Sequence, residues 1–340
     1  MNLDTIVYII PICKGGEIMT IRDEEIIKKD IIPFLSARIK ETMLKMPADC
    51  FKGMEEIRLR FGQPLALKIG DKDYSLDAFG RMQEDLSRGY IVCADDIYRS
   101  IAAISDNSLY AFEEEISRGF ITIPGGHRVG LAGQIVLSGS EIQTIKDFSG
   151  IAFRITREVK DCSLTIMASI YPRDLEPVNT LFISPPRCGK TTILRDVARN
   201  LSYGTSKRRG CNVTVIDERS ELAGTYQGRS QMDLGPRTDV LDSCPKAQGM
   251  IMAIRSLAPH VLITDEIGRC EDIEAIQECV NAGVAVITSV HARNIEEVQK
   301  RPVLRELLAT SAFENLIVLS RRCGPGTIEN IVRWDELCCG

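Results

Sequence analysis

The sequence predicts an α/β protein in which a domain with a mostly parallel sheet follows a smaller α+β domain. Three observations predict this class. Short apolar strands alternate with amphipathic helices from Thr180 onward, the tripeptide Gly-Lys-Thr at 189–191 lies between such a strand and such a helix, and strands with turns occupy the first half. Strand and helix in alternation are typical of a parallel sheet with helices on both faces, and such sheets bind ligands at the carboxyl ends of their strands.

The elements of the first domain follow from apolar spacing. The run 29–46 places four apolar residues at steps of three and four, with Pro33 in its first turn, and predicts an amphipathic helix. Alternating apolar and basic residues around a Gly-Gln-Pro turn predict a strand, turn and strand over 56–69. A further helix is predicted at 95–104, and two strands are predicted about the turn at 124–126.

The domain boundary is predicted near residue 165, because two prolines and a charge cluster interrupt the periodicity between 165 and 179. We therefore assign residues 1–165 to an N-terminal α+β domain and 166–340 to the α/β domain. In the second domain, strands are predicted at 181–183, 213–216, 261–264 and 284–288, and helices are predicted at 193–201, 247–257 and 273–280.

Composition indicates two ordinary folded domains. The chain has 340 residues, of which 44% are hydrophobic and 26% charged, and its net charge of -5 gives no general attraction to nucleic acid or anionic membranes. The apolar run 5–13 is far shorter than the roughly 20 residues of a membrane span, so no integral membrane segment is predicted. This run is either a buried strand or a product of start-site choice, since Met19 would also open a sensible protein.

The twelve cysteines form no C-x-x-C pair and no zinc-type spacing, which indicates reduced thiols in a cytosolic protein. The alternative is a metal site made by Cys323, Cys338 and Cys339.

The stretch "LFISPPRCGKTTILRD", 181–196, ends like a phosphate-binding loop, G-x-x-x-x-G-K-[ST], although Ser184 replaces the first glycine. Gly189 lets the backbone approach phosphates, Lys190 reaches the β and γ phosphates, and Thr191 is placed to ligate Mg²⁺. A chance match is the alternative for so short a motif. The predicted nucleotide-binding residues are Ser184, Pro185, Pro186, Arg187, Cys188, Gly189, Lys190, Thr191 and Thr192.

An acidic pair ends the strand in "HVLITDEIG". Asp265 is placed to hold the water shell of a magnesium ion, and Glu266 to polarise the attacking water. The alternative is that this acidic pair lies in a solvated turn without a catalytic role. We predict that Asp265 and Thr191 serve the metal and that Glu266 and Lys190 are catalytic.

Two further strand ends carry polar groups. "VAVITSVHARN" delivers Thr288, Ser289 and then His291, a candidate sensor of the γ phosphate, and "VTVIDERSELAG" delivers Asp217 and Glu218, candidates for orienting water or magnesium. A surface histidine and an ion-paired turn are the alternatives. His127 and His260 are predicted to be structural.

These stretches together resemble a known family. "NTLFISPPRCGKTTILRDVARNLS", "VIDERSELAG", "DLGPRTDVLDSCPKAQGMIMAIRSLAPHVLITDEIG" and "RPVLRELL" are similar to the stage III sporulation protein AA family, a branch of the superfamily of ATPases that drive type II and type IV secretion. The resemblance is dense over about 179–331 and looser through "EEIRLRFGQPLAL" and "GGHRVGLAG".

The resemblance implies a RecA-like P-loop ATPase domain that uses ATP and Mg²⁺. Lys190 and Thr191 fall on the family's phosphate and magnesium positions, Asp265 and Glu266 on its acidic pair, and the remaining matches are Asp217 and Glu218 on its aspartate box and His291 on its histidine box. It also implies a homohexameric ring. The ring would lie in the cytoplasm on the mother-cell side of the membrane, where it would power or assemble a membrane-embedded channel into the forespore.

Two departures from the family pattern stand out. The family's loop usually reads PPGCGKT, so Arg187 replaces a glycine, and Asn315 replaces a common arginine. If the glycine position requires a positive φ, a side chain there costs about 1 kcal/mol or more.

The leading hypothesis is therefore an ATP-hydrolysing motor, completed in trans by an arginine such as Arg237, Arg255 or Arg128. One alternative is a nucleic-acid-directed ATPase, for which the basic run 206–210 is the motivating feature, although nucleic acid is not the expected partner. Another is a scaffold that binds nucleotide with little turnover, for which Arg187 is the motivating feature.

Overall fold

The computed structural model describes residues 19–171, 176–206, 208–309 and 312–334. The chain divides into two compact units, one ending at Arg157 and the other beginning at Glu158, so each is described by itself. The apolar run 5–13 and the cysteines at 338 and 339 lie outside the described residues.

The first unit is built on an antiparallel sheet of seven strands in the order β4-β3-β2-β1-β7-β6-β5. The predicted strand, turn and strand, the hairpin at 124–126 and the helix at 95–104 are confirmed. The strands are β1 (Met54–Arg60), β2 (Ala66–Ile69), β3 (Lys72–Leu76), β4 (Met82–Gln83), β5 (Phe120–Ile123), β6 (His127–Ser138) and β7 (Glu141–Arg154), and the helices are α1 (Met19–Ile26), α2 (Ala37–Leu44), α3 (Ala94–Ile104) and α4 (Glu113–Ser117).

The helix predicted over 29–46 is wrong in its bounds. A π-helical turn (Ile27–Ile31) and a 3-10 turn (Ile32–Phe34) precede an extended residue, and the α-helix begins only at Ala37. Two features explain the break: the ring of Pro33 cannot donate a backbone hydrogen bond, and Ser36 is the N-cap of α2. Apolar spacing alone could not reveal the interruption, because Ile32 and Leu35 are buried in either geometry.

The second unit contains a seven-stranded sheet in the order β12-β11-β13-β14-β8-β15-β16, parallel except for β16, as predicted. A small hairpin follows helix α6. The strands are β8 (Thr180–Ser184), β9 (Gly204–Thr205), β10 (Arg208–Arg209), β11 (Val213–Asp217), β12 (Thr238–Asp242), β13 (Val261–Thr264), β14 (Ala285–His291), β15 (Asn315–Ser320) and β16 (Thr327–Arg333), and the helices are α5 (Leu164–Ile170), α6 (Lys190–Tyr203), α7 (Lys246–Ser256), α8 (Cys270–Asn281), α9 (Ile295–Lys300) and α10 (Pro302–Ala309).

Two apolar cores cover the two faces of this sheet. Leu181 and Ile183 of β8 pack with α7 and α8, whereas Phe182 between them packs with α5 and α6. Every residue of β8, β11 and β13 is buried, as expected for central strands of a doubly covered parallel sheet. The carboxyl ends of β8, β11, β13 and β14 therefore meet at one edge, where all the predicted catalytic residues lie.

Within the described residues, no helix combines the length and apolar character needed to cross a membrane.

The N-cap of α2 provides a test of the first unit. The Ser36 hydroxyl donates to the Asp96 carboxylate at 2.6 Å, and the Ser36 amide donates to the Ser100 hydroxyl at 3.1 Å. We expect Ser36→Ala to lower the free energy of unfolding of this unit by about 1–2 kcal/mol, because it removes a cap and a partner of a buried carboxylate. Calorimetry of the full chain should show the loss, and the exposed Ser140→Ala should change nothing; equal stability of both variants would contradict the cap.

Candidate nucleotide-binding and hydrolysis site

The phosphate loop, residues 184–191, connects the buried strand β8 to helix α6. Gly189 has φ +85° and is the N-cap of α6, which begins at Lys190 and runs for 14 residues. A Cβ on Gly189 would lie 3.1 Å from the backbone nitrogen of Gly326, and this same amide donates to the Cys188 carbonyl at 2.8 Å. The turn between β15 and β16 therefore supports the loop, and the free amides at the start of α6 provide an anion site.

Arg187 adopts the left-handed backbone conformation, with φ +61°. In the loop, the positive φ angles fall at Arg187 and Gly189, so the loop needs its conformational freedom there and not at Ser184. The Ser184 hydroxyl instead donates to the Pro185 carbonyl at 2.9 Å. The Arg187 side chain is exposed, and its backbone conformation costs a residue with a Cβ about 1–2 kcal/mol.

The Lys190 ammonium is buried at the end of the sheet. It donates to the Ser184 carbonyl at 3.2 Å, to the Pro185 carbonyl at 3.0 Å and to His291 Nδ1 at 2.8 Å. Burial lowers the pKa of Lys190, and the negative charges of Glu266 and Asp265 offset part of that shift. Lys190 thus lies within the electrostatic field of Asp265 and Glu266, although the lysine and this acidic pair come from separate segments of the chain.

His291 links Lys190 to Glu266. Because the lysine ammonium can only donate, His291 Nδ1 accepts, and the ring proton lies on Nε2, which contacts the Glu266 carboxylate. The Glu266 amide donates to the Ser289 hydroxyl at 3.0 Å. Like Arg187, Glu266 adopts the left-handed backbone conformation, with φ +47°. Backbone strain of this kind clusters at functional sites, and here it occurs at the residue whose carboxylate contacts His291.

Asp265 is the more buried member of the acidic pair, with 5% of its surface exposed. Burial, and next the negative charge of Asp217, raise the pKa of Asp265 to about 7, while the Lys246 ammonium opposes the shift. A divalent cation beside this carboxylate would stabilise its charged form.

Asp217 is placed differently from the role predicted for it. Its two carboxylate oxygens accept the backbone amides of Glu221, Leu222 and Ala223 at 2.8–2.9 Å. Burial raises the pKa of Asp217 to about 6, against the effect of these amides. Asp217 therefore holds a loop, and a direct catalytic role for it stays a prediction.

Glu218 forms an ion pair with Lys246 at the start of α7. Both residues line a cleft of about 510 Å³ that also contains Glu266, Arg219, His291 and Arg301. This cleft borders the carboxyl edge of the sheet, so the predicted Glu218, Glu266 and His291 share one cavity. Lys246 was missed as a contributor by sequence reasoning, because nothing in its spacing marks it.

The arginines proposed to act in trans lie away from this site or in the other unit. Arg237 donates to the Ser202 carbonyl at 3.0 Å near the end of α6, and Arg255 lies in the last turn of α7, so both are at the amino edge of the sheet. Arg128 stacks on the Phe120 ring at 3.8 Å in the first unit. Their roles stay predictions.

The residues expected to be structural have backbone partners. His127 Nδ1 accepts the Thr156 amide and His260 Nδ1 accepts the Asn212 amide, each at 3.0 Å. Asn315, the second departure from the family, lies at the amino end of β15, where it donates weakly to Ser169 and Thr180. It is therefore remote from the phosphate loop.

The basic run lies at the opposite edge from the nucleotide site. Arg208 and Arg209 form β10 and line a cleft of about 1150 Å³ at the amino ends of β8, β13 and β14. Arg208 also stacks on Tyr171 at 4.7 Å. Basic residues at that edge are remote from the phosphate loop of the same unit.

The parallel strand order, the phosphate loop and the acidic strand end define the RecA-like P-loop ATPase fold. The structure is similar to the ATPase DotB of Legionella pneumophila over 90% of this chain and 78% of that chain, with a TM-score of 0.54 and 13% identity, which shows the shared fold.

The chain belongs to the family "Sporulation stage III, protein AA", whose model matches residues 25–336. It is 37% identical over 306 residues to stage III sporulation protein AA of Bacillus subtilis (strain 168), covering 90% of this chain and 95% of that protein. It is also 32% identical over 142 residues to the uncharacterized protein ycf45 of Porphyra purpurea, covering 40% of this chain and 24% of that protein. The resemblance noted from the motifs is confirmed.

The left-handed Arg187 is open to direct test. We expect Arg187→Gly to equal or exceed the wild type in stability by up to about 1 kcal/mol, because relief of strain is partly offset by added freedom in the unfolded chain. Arg187→Val should be less stable by about 1–2 kcal/mol, since a β-branched residue tolerates this conformation poorly. Urea titration followed by the fluorescence of Trp334, the single tryptophan, reports on this unit.

The matched control is Arg293→Val, at an exposed loop position without a positive φ, which should shift stability by no more than about 0.5 kcal/mol. Equal stability of the valine and glycine variants at 187 would contradict the left-handed assignment.

Proposed function

We propose that the protein is a Mg²⁺-dependent ATPase and that the carboxyl edge of the second unit's sheet is its catalytic site. The observation that carries the proposal is the contact of Lys190 with His291, and of His291 with Glu266. It joins the phosphate-loop lysine to a carboxylate 76 positions later in the chain through a histidine from a third segment. Such a convergence is unexpected for a chance Gly-Lys-Thr.

Each residue has a distinct task in hydrolysis. The amides at the start of α6 bind the β phosphate, and Lys190 moves its donors from the loop carbonyls to the β and γ phosphate oxygens. Glu266 orients the attacking water and takes its proton as the water oxygen bonds to the γ phosphorus and the bond to the β-phosphate oxygen breaks. His291 holds Glu266 in place and loses its lysine partner when Lys190 turns to phosphate, so it responds to the occupied site.

The residues present fit a magnesium ion. Thr191 follows Lys190 at the start of α6, and Asp265 directly follows β13 at the same carboxyl edge of the sheet, so the fold brings a hydroxyl-bearing residue and a carboxylate to that edge. Mg²⁺ keeps several waters and needs few protein ligands, and it would neutralise charge that develops on the phosphates. Among the described residues, no group of three or more histidine, cysteine, aspartate or glutamate side chains is arranged to hold a metal, which is compatible with such a sparsely ligated ion.

The family supports a cellular role for this activity. We infer a homo-oligomeric motor, with a hexameric ring as the expected form, that powers or assembles a channel from the mother cell to the forespore. It would act at the cytoplasmic face of the mother-cell membrane through a membrane-embedded partner.

We expect Mg²⁺-dependent ATP hydrolysis whose rate per subunit rises with protein concentration. Lys190→Ala should lower turnover and nucleotide affinity together, and Glu266→Gln should lower turnover by about 10² or more while affinity is kept. Phosphate release and equilibrium binding of a labelled ATP analogue measure the two effects. The controls are Lys300→Ala and Glu274→Gln, which change exposed residues of α9 and α8.

Two other outcomes would each favour a different function. Tight binding with no hydrolysis in the wild type, matched by both variants, would favour the scaffold. Hydrolysis that requires DNA or RNA, with binding that weakens steeply as salt rises, would favour a nucleic-acid-directed ATPase.

A further inference from the structure

Arg195 is a buried arginine on the nucleotide helix α6 that takes no direct part in the proposed hydrolysis. It lies five residues after Lys190 on α6, and only 5% of its surface is exposed. Its Nε donates to the Leu222 carbonyl at 2.8 Å, and its Nη2 donates to the Glu221 carbonyl at 2.9 Å. A buried guanidinium destabilises the folded state unless its N–H groups have hydrogen-bond acceptors, so the two carbonyl contacts hold Arg195 in this position.

The loop that Arg195 holds is also held by Asp217. We call residues 218–223 the aspartate loop. Asp217 accepts the amides of Glu221, Leu222 and Ala223, while Arg195 donates to the carbonyls of two of the same residues. The peptide groups are thus fixed from both sides, by an acceptor on β11 and a donor on α6.

The other half of the aspartate loop faces the catalytic carboxylate. Arg219 Nη1 lies 3.6 Å from Glu266 Oε2, and Glu218 pairs with Lys246. Ser220, which follows Arg219 in the chain, has φ +52°, and its hydroxyl donates to the Asp242 carboxylate at 2.7 Å. The loop is held closely by these contacts, and Glu221 and Leu222 lie within three positions of Arg219, so a displacement at either residue would reach Arg219 through a short segment.

We propose that Arg195 is a positioning residue for hydrolysis: it ties the helix that binds the phosphates to the aspartate loop, and so sets the position of Arg219 beside Glu266. The inference rests on the proposed ATPase function. Lys190 at one point of α6 and Arg195 at another couple the phosphate site and the aspartate loop through a single rigid helix. Arg195 does not touch the nucleotide in this scheme and acts through Arg219.

The chain offers a matched control on the same helix. Arg199 lies about one turn further along, is also largely buried, and pairs with Asp196 at 2.9 Å and with Asp161. Among its described hydrogen bonds and ion pairs, none reaches the aspartate loop. Arg195→Lys and Arg199→Lys each replace a largely buried guanidinium on α6, but only the first removes described hydrogen bonds to residues 221 and 222.

The experiment compares both lysine variants as full chains. We expect Arg195→Lys to lower kcat about tenfold or more, equivalent to roughly 1.4 kcal/mol in the barrier, while the Kd of a non-hydrolysable ATP analogue changes less than about twofold. Amide exchange at residues 221–223 should accelerate. Arg199→Lys should keep kcat within about twofold of the wild type. A shared loss of thermal stability would not separate the two variants, so the kcat, Kd and exchange readouts decide.

A double-mutant cycle tests the route through Arg219. If Arg195 acts by placing Arg219, then Arg195→Lys should have little further effect on kcat in an Arg219→Ala background. Fully additive losses of kcat, or equal kcat in the two lysine variants, would overturn the proposal.

If the wild type hydrolyses no ATP, the proposed function fails, and the coupling between α6 and the aspartate loop is then judged by amide exchange alone. Analogue binding should slow exchange at 221–223 in the wild type and Arg199→Lys but not in Arg195→Lys, and equal slowing in all three would overturn it.

Discussion

The structure of the site depends on the placement of one buried cation, the Lys190 ammonium. An ammonium removed from water is unfavourable unless its three donors are satisfied, and here two loop carbonyls and His291 accept them. The same burial makes the ammonium sensitive to nearby negative charge, because electrostatic effects are stronger where water is excluded. A lysine ammonium that is buried and surrounded by hydrogen-bond acceptors is well suited to bind the oxygens of a nucleotide phosphate.

The order of the strands creates that placement. β8 lies between β14 and β15, so the strand that ends in the phosphate loop is flanked by the one that ends in His291 and by the one whose turn supports the loop. β13, which carries the acidic pair, lies on the other side of β14. Residues more than a hundred positions apart in the chain therefore converge at one edge without any long-range feature of their own.

Much of this arrangement could be predicted from the sequence, because parallel strands bring their carboxyl ends together. The GKT tripeptide, the strand-end Asp265 and Glu266, and His291 were all recognisable for that reason. The interruption before α2 could not be predicted, since Pro33 and Ser36 end one helical segment and start another where the apolar spacing fits a continuous helix equally well. Arg195 and Lys246 were also hidden, because their partners are backbone carbonyls and a carboxylate from other segments. Arg187 is intermediate: the family pattern raised the question of a positive φ, and only the backbone answered it.

The most direct test of the central claim is a crystal structure of the purified chain with Mg²⁺ and a non-hydrolysable ATP analogue. We expect the phosphates to lie on the amides at the start of α6, with Lys190 Nζ turned from His291 Nδ1 toward the γ phosphate and with Thr191 and Asp265 holding the metal. A bound nucleotide that leaves the Lys190 to His291 contact intact, or that lies at another edge of the sheet, would contradict the central claim.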